Sequence, residues 1–287
     1  MSWRGKTIAG FEGCDALARA LARAVGARYA PLAVSKYRAG ERVIRASRSV
    51  TRRCLLVAEL EADGESVWRA LMAADALKRS GAKHVFLLAP WMAYGRQDRP
   101  AKARESTGGA TLGDALHRSF KKIFTLDAHS KLFRKHFHGH LKSIAARDLA
   151  IPVARRYGAD AVAAPDKGAV KRAKAVAREM RLPFIQCEKT RLRPGLGGVR
   201  SRVRHGDPKG HRVVMIDDLV DSGGTLAEAA KALRLAGAKS VGAVVTHAAL
   251  SSSVPSAKSL GLGYLEIVYR RDRKPSASLV KLLAAHL

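Results

Sequence analysis

The sequence has few cysteines, few acidic residues, few aromatic residues and no long apolar run. Although 47% of its 287 residues are hydrophobic, no uninterrupted apolar segment approaches the roughly 18 residues that a membrane-spanning helix needs. Its first residues lack the apolar core of a secretory signal. The three cysteines, Cys14, Cys54 and Cys187, are far apart and fit no metal or disulfide pattern. We therefore expect a cytoplasmic protein with buried thiols and no membrane partner.

The shortage of acidic residues gives the chain a strong positive charge. There are 53 Lys and Arg residues against 24 Asp and Glu, so the formal net charge is +29. Such a charge attracts polyanions, including nucleic acids. The basic residues are scattered, however, and few aromatic residues lie between them. A nucleic-acid partner therefore stays open without support from any motif, and anionic substrates are the simpler explanation.

The most informative stretch is Val213–Ala230, which reads VVMIDDLVDSGGTLAEAA. We expect a buried strand over Val213–Ile216, ended by Asp217 and Asp218, and a helix from about Leu226. The intervening loop of small and hydroxyl residues contains Asp221, Ser222, Gly223, Gly224 and Thr225. A strand, such a loop and a helix N-terminus together suit a phosphate.

The acidic pair adds a second function to this loop. Asp217 and Asp218 are suited to two vicinal hydroxyls of a sugar, or to a hydrated Mg²⁺ ion. A single loop could then bind a sugar phosphate at both ends. The alternative is an ordinary strand-to-helix connection in which Asp218 or Asp221 caps the helix.

An internal repeat indicates two domains. At an offset of 156, residues 71–85 and 227–241 agree at 8 of 15 positions. In both copies an apolar strand is followed by a loop, a helix, the sequence Gly-Ala-Lys-x-Val and another strand. We therefore predict two tandem α/β domains with parallel sheets, over residues 1–144 and 145–287. The first copy lacks the acidic pair and the Ser-Gly-Gly-Thr loop, so we expect it to have lost the sugar-phosphate site.

Two loops of the first domain carry polar groups directly after predicted strands, where ligands bind in α/β proteins. Arg96 suits a phosphate and Gln97 suits the amide-type edge of a base. Alternatively, this loop is solvated and Asp98 pairs with an arginine. His129 follows the predicted strand Ile123–Leu126, as a metal or phosphate ligand or as a structural hydrogen-bonding group.

Two further segments of the second domain are candidates. Asp166 lies in a Pro-Asp-Lys-Gly turn after the predicted strand Ala161–Ala164. Lys189 and Arg191 begin the cationic, glycine-rich segment Glu188–Gly198, which we interpret as a mobile lid or as a disordered basic loop.

Three histidines alternate in the segment FRKHFHGHL, at positions 136, 138 and 140. Alternation predicts that they share one face of a strand, which invites a zinc site, but no fourth ligand is apparent.

The order of these motifs resembles a known family. Val213–Thr225 resembles the PRPP-binding signature shared by phosphoribosyltransferases and ribose-phosphate pyrophosphokinases. The first domain adds an aromatic-x-x-Gly-Glu segment, an Arg-Gln-Asp loop and an Asp-x-His segment, which resemble the ribose-phosphate pyrophosphokinase family. These are Tyr37–Glu41, Arg96–Asp98 and Asp127–His129. The resemblance implies two phosphoribosyltransferase-like domains and transfer of the diphosphoryl group of ATP to ribose 5-phosphate, giving PRPP and AMP for nucleotide biosynthesis.

The resemblance also implies roles for single residues. In the first domain, Tyr37 and Glu41 would meet the adenine of ATP from a neighbouring subunit of a homo-oligomer. Arg96 and Gln97 would bind ATP, and His129 would help to position its Mg²⁺–phosphate chain.

In the second domain, the resemblance implies that Asp166 contacts Mg²⁺ or ribose and that Lys189 and Arg191 are catalytic. The sugar-phosphate site would comprise Asp217, Asp218 and Asp221–Thr225. Two other functions remain as alternatives: a phosphoribosyltransferase, and a catalytically weak relative acting as a regulatory or nucleic-acid-binding subunit.

Overall fold

A computed structural model describes residues 2–11, 13–191, 199–249, 254–270 and 272–287, with only the backbone described for Thr190, Arg191 and Val199. It divides into two compact units. Unit 1 comprises residues 1–145 and 271–287, and unit 2 comprises residues 146–270. The predicted second domain ran to residue 287. The last segment groups with unit 1 instead, because its helix packs against the first helix of the chain.

The elements alternate between strands and helices through most of both units. Unit 1 contains, in chain order, β1 (Thr7–Gly10), α1 (Asp15–Val25), β2 (Arg28–Lys36), β3 (Arg42–Ala46), β4 (Arg53–Val57), α2 (Glu65–Arg79), β5 (His84–Leu88), α3 (Gly108–His117), β6 (Ile123–Leu126), α4 (Lys131–Lys135) and β7 (Leu141–Ile144). Unit 2 contains α5 (Arg147–Arg156), β8 (Ala161–Ala164), α6 (Val170–Met180), β9 (Phe184–Arg191), β10 (Val199–His205), β11 (Arg212–Val220), α7 (Gly224–Leu235), β12 (Ser240–Ala248), a 3₁₀ turn (Lys258–Leu260) and β13 (Leu265–Ile267). The chain ends with α8 (Ala277–His286) in unit 1.

Each unit is built on one mostly parallel sheet. The strand order is β3-β2-β1-β4-β5-β6-β7 in unit 1 and β10-β9-β8-β11-β12-β13 in unit 2. Among the described strands, only β3 and β10 run antiparallel to their neighbours. The central strands are apolar and fully buried, as in Cys54–Val57 and Val213–Ile216, because helices cover both faces of such sheets. This confirms the predicted fold class.

The internal repeat corresponds to matching parts of the two sheets. In unit 1, β4, α2 and β5 form a strand–helix–strand unit with adjacent parallel strands, and β11, α7 and β12 do the same in unit 2. In each unit, the carboxyl ends of the parallel strands lie along the same side of the sheet. The candidate site residues lie in the segments that follow these strand ends. Among the described residues, no helix is both long and apolar enough to cross a bilayer.

Candidate active site

The acidic pair of unit 2 lies inside a strand. The sequence predicted that Asp217 and Asp218 end the strand, but β11 continues to Val220. Its partner β8 stops opposite Met215, whereas β12 stays paired beyond the acidic residues. The longer β12 therefore holds the two carboxylates in extended backbone just past the carboxyl end of β8.

Arg172 of α6 forms ion pairs with both carboxylates. Its Nη1 lies 3.3 Å from Asp217 Oδ1 and 3.2 Å from Asp218 Oδ1, and all three side chains are largely buried. Burial raises the pKa of the Asp217 carboxyl well above its usual value. The negative charges of Asp218 and Asp166 raise it further, and Arg172 opposes them. The site thus concentrates more negative charge than the one arginine offsets.

The turn that contains Asp166 lies beside the acidic pair, as its electrostatic effect on Asp217 indicates. Asp166 Oδ1 accepts hydrogen bonds from the backbone N–H of Gly168 at 2.8 Å and of Ala169 at 3.2 Å. These bonds fix the turn ahead of α6, which also supplies Arg172. One local segment therefore positions both a carboxylate and the balancing cation.

The small-residue loop Asp221–Thr225 leads directly into α7. The helix begins at Gly224, two residues earlier than predicted, so its first N–H groups adjoin the loop. Gly223 has φ +81°, and a Cβ there would lie 2.5 Å from a Leu260 methyl carbon. Only glycine fits this position, which keeps the loop tight and its backbone accessible to a phosphate.

Lys189 reaches this loop from β9. Its Nζ donates a hydrogen bond to Thr225 Oγ1 at 2.6 Å. The preceding residue, Glu188, pairs with Arg202 and Arg204 of β10, each with a nitrogen–oxygen distance of 3.0 Å. These contacts tie the two strands together and place an ammonium group at the phosphate-type loop.

The predicted lid is in part regular structure. Its first residues continue β9, which forms an antiparallel hairpin with β10. For residues 188–191 the disordered-loop interpretation is wrong, because backbone pairing with β10 extends the strand through Arg191. The mobile-lid interpretation stays a prediction. The Arg191 side chain and residues 192–198 lie outside the described residues.

In unit 1, the Arg-Gln-Asp loop adjoins the Asp-x-His segment. A Cβ on Gly95 would lie 3.1 Å from His129 Cβ, which places the backbone beside Arg96 against His129. Arg96, Gln97 and His129 are all exposed at this edge of the sheet. The structure therefore brings together a guanidinium, an amide and an imidazole that the sequence separates by about thirty positions.

The buried Asp98 side chain connects the Arg-Gln-Asp loop to the segment that follows His129. Its buried carboxylate accepts two hydrogen bonds from Arg99, at 2.9 and 3.1 Å, and one from Ser130 Oγ. The Arg99 hydrogen bonds lower the pKa of the Asp98 carboxyl; burial opposes them, and Ser130 and the charge of His129 add to the lowering. Ser130 Oγ also accepts the Phe133 N–H at 2.9 Å and caps α4. Asp98 thus pairs with an arginine, as the alternative interpretation of this loop expected.

Tyr37 and Glu41 lie elsewhere in unit 1, at the tip of the β2–β3 hairpin. The backbone N–H of Tyr37 donates to the Glu41 carbonyl at 2.8 Å, and the Tyr37 side chain is 64% exposed. Three strand positions separate β2 from β5, which is about 14 Å at the usual strand spacing. The structure therefore does not join this pair to Arg96 within one chain.

The histidine segment is not a strand. His136 ends α4, and its Nε2 contacts the Asp98 carbonyl at 2.8 Å. His138 has a left-handed φ of +50°, and β7 begins only at Leu141. The predicted shared strand face is therefore wrong, because residues 136–139 form a turn between α4 and β7.

The sequence interpretation missed Arg172, the most important cation of the acidic pair. Nothing distinguishes it in the sequence from the other basic residues of α6, and its partners lie 45 and 46 positions away. The available signal was its position in the first turn of a helix that follows the Asp166 turn.

Comparisons with known proteins agree with this architecture. Residues 7–119 match the family model for the N-terminal domain of ribose phosphate pyrophosphokinase. Residues 137–260 match the model for the phosphoribosyl transferase domain.

Individual relatives agree over most of the chain. The chain is 32% identical over 215 residues to a ribose-phosphate pyrophosphokinase of Pyrococcus abyssi, covering 75% of each protein. It is 31% identical to one of Methanopyrus kandleri, covering 88% of this chain and 87% of the relative. A crystal structure of phosphoribosylpyrophosphate synthetase from Mycobacterium smegmatis superposes with a TM-score of 0.82 at 25% identity, covering 98% of this chain and 97% of that one. The chain belongs to the ribose-phosphate pyrophosphokinase family.

Proposed function

We propose that this protein transfers the β,γ-diphosphoryl group of ATP to the anomeric hydroxyl of ribose 5-phosphate. The anomeric oxygen forms a bond to the β-phosphorus, and the bond between that phosphorus and the bridging oxygen of the α-phosphate breaks. AMP leaves with the electron pair, the hydroxyl proton passes to solvent, and PRPP is the product. The observation that carries the proposal is the Lys189–Thr225 hydrogen bond, which places a cation at the sugar-phosphate loop beside the acidic pair.

Unit 2 would bind the sugar phosphate. Backbone N–H groups of Ser222–Thr225 and the start of α7 would hold the 5-phosphate. Asp217 and Asp218 would accept hydrogen bonds from the 2- and 3-hydroxyls, with Asp221 at the entrance of the loop. This orients the anomeric oxygen, and such transfers depend mainly on positioning and charge stabilisation.

Lys189 is the catalytic cation that this geometry supports best. It is exposed apart from its bond to Thr225, so its ammonium group can turn towards the diphosphoryl group when substrates bind. There it would stabilise the negative charge that develops during transfer. Arg191 is proposed for the same task on the family resemblance alone, since its side chain lies outside the described residues.

Unit 1 would bind ATP. Arg96 suits the phosphates, Gln97 the base or ribose, and His129 the Mg²⁺–phosphate chain. Tyr37 and Glu41 would contact the adenine bound by a neighbouring subunit. Their exposed position, away from the Arg96 loop of the same chain, supports this shared site and hence a homo-oligomer.

Mg²⁺ fits the residues of unit 2. Asp166, Asp217 and Asp218 supply the hard oxygen donors that this ion prefers. The pKa of Asp217 is raised mainly by burial and then by the neighbouring carboxylates, whose negative charge a dication would offset. We propose Asp166 as a contact of the ion, and His129 as a contact of the Mg²⁺–ATP phosphates. When bound, Mg²⁺ neutralises charge on the transferring group.

The two alternatives are not favoured. A phosphoribosyltransferase needs no Arg-Gln-Asp loop in a first domain, yet that domain matches a pyrophosphokinase model. A purely regulatory subunit would not need the Lys189 ammonium group hydrogen-bonded to Thr225 in the candidate phosphate loop. Cytoplasmic location remains part of the proposal, and it is supported by the three cysteines, which are buried and form no disulfide. Burial raises the pKa of the Cys54 thiol to about 12 and of Cys187 to about 11, so neither is poised for oxidation.

The experiment is a pair of reactions followed by ³¹P NMR. In the first, purified protein receives ATP, Mg²⁺ and ribose 5-phosphate, and PRPP and AMP should appear in equal amounts. In the second it receives PRPP with purine and pyrimidine bases, and no pyrophosphate should be released. Pyrophosphate release with any base, together with no reaction in the first mixture, would establish the transferase instead.

A further inference from the structure

Three side chains of types that can bind a metal ion lie close together near the amino-terminal ends of the strands in unit 1. Asp114 and His117 are three residues apart on α3, so they share one face of that helix. His138 comes from the turn between α4 and β7. One ligand atom from each of the three residues lies within 4.8 Å of those of the others. This spacing is within the reach of a single transition-metal ion.

The bonds around these side chains orient them for coordination. His117 Nδ1 lies 3.3 Å from the Gly113 carbonyl of the same helix. A proton held there leaves the Nε2 lone pair for a metal, which is how backbone carbonyls orient histidine ligands. His138 Nε2 lies 2.7 Å from Asp114 Oδ1. A dication replaces the proton shared in that contact, and the imidazole then carries its proton on Nδ1.

The backbone holds the two contributing segments together. A Cβ on Gly113 would collide with the His136 carbonyl, so the turn after α4 lies directly against α3 at this glycine. His138 has φ +50°, a conformation that few non-glycine residues adopt. This conformation directs the imidazole back over α3, and the His117 and His138 ring centroids are 4.5 Å apart.

The cluster is separate from the proposed ATP-binding loops. Gln97 packs at the amino end of α3, beside Gly108, whereas His117 is the last residue of this ten-residue helix. The helix is about 15 Å long. The three side chains therefore lie near the amino-terminal ends of the strands, whereas Arg96 and His129 follow their carboxyl ends.

We propose that Asp114, His117 and His138 bind one transition-metal dication, of the Zn²⁺, Co²⁺ or Ni²⁺ class. Two imidazoles and one carboxylate suit these ions better than Mg²⁺ or Ca²⁺, which prefer oxygen ligands. Water completes the coordination, because Asp114 and His138 are exposed. The ion ties α3 to the segment before β7. The sequence pointed to His138 but not to its partners, which come from another helix.

Untagged protein is dialysed to equilibrium against ZnCl₂, and the bound metal is counted by mass spectrometry. We expect one tight site per chain, with at least tenfold weaker binding in the double variant His117→Asn, His138→Asn. The matched control is His205→Asn, His211→Asn, which removes one exposed and one partly buried histidine from unit 2 and should keep the tight site. Equal Zn²⁺ affinity in the double variant and the wild type would overturn the proposal, as would an equal loss in the control.

A spectroscopic measurement on the wild-type protein tests the proposal even if the variants misfold. With ¹⁵N-histidine labelling, one equivalent of Zn²⁺ should shift the His117 and His138 ring signals and leave those of His205 and His211 in place. Uniform small shifts of all histidines would mean diffuse surface binding and refute the site. Neither readout depends on catalysis, so the result is independent of the proposed function.

Discussion

Removing Arg172 tests whether the acidic pair is held together by that residue. In Arg172→Met the side-chain length is nearly kept while the charge is lost. Two ion pairs disappear, at 3.3 and 3.2 Å, from groups whose side chains are only 18, 12 and 9% exposed. With an effective dielectric constant of about 20, each pair attracts by about 5 kcal/mol before desolvation is subtracted. Breaking such a buried pair costs a net of about 3 to 5 kcal/mol, so we expect a loss of about 3 kcal/mol in the free energy of unfolding near neutral pH.

The loss of free energy of unfolding in Arg172→Met should depend on pH, and the structure determines whether the loss grows or shrinks as pH rises. The folded-state pKa of Asp217 is raised above its unfolded value, mainly by burial and then by Asp218. The folded protein therefore binds more protons than the unfolded chain between those two pKa values, and the free energy of unfolding falls as pH rises through that window. Arg172 opposes the raising, so its removal deepens the fall. The difference between variant and wild type should be small near pH 4, about the ordinary carboxyl pKa, and should grow as pH rises.

The assay is urea unfolding by circular dichroism from pH 4 to 8, with amide exchange of β11 to report on unit 2. The matched control is Lys171→Met, which removes an exposed charge from the neighbouring position of α6. It should change the free energy of unfolding by less than about 0.5 kcal/mol. If Arg172→Met behaves like this control at every pH, the reasoning about the acidic pair is refuted.

Three further predictions concern the sugar-phosphate loop. Lys189→Ala should lower turnover about a hundredfold with little change in the KM for ATP, because its charge acts on the transition state; steady-state kinetics decide this, and an unchanged turnover would remove Lys189 from catalysis. Asp218→Asn should weaken ribose 5-phosphate binding about tenfold or more, measured by calorimetry, whereas wild-type affinity would exclude the hydroxyl contact. Gly223→Ala should cost about 1 to 3 kcal/mol of folding free energy, because of its φ of +81° and the Leu260 contact; an unchanged urea midpoint would contradict the steric argument.

Much of the local structure was predictable because the sequence patterns are strong. The strands Ile123–Leu126 and Ala161–Ala164 have the predicted bounds. Gly26 ends the first helix with φ +65°, as a C-terminal glycine should. Hydrophobic periodicity and helix capping depend on residues that are close together in the chain, so the sequence alone reveals them.

The errors arise where distant segments decide the local structure. β11 runs past Asp218 because β12 continues beside it, and β9 extends through Arg191 because β10 pairs with it. The histidines alternate in sequence, yet α4 and the following turn place each in a different environment. Arg172 and the Asp114 cluster likewise depend on contacts between elements that no local pattern encodes.

The most direct test of the central claim is AMP formation from ATP and Mg²⁺, measured with and without ribose 5-phosphate. The account predicts that AMP and PRPP appear together, one for one, only when the sugar phosphate is present. It also predicts that Lys189→Ala suppresses both products equally, while the exposed Lys231→Ala leaves them unchanged. AMP formed without the sugar phosphate, or no AMP from protein that still binds ATP, would contradict the claim that this chain makes PRPP.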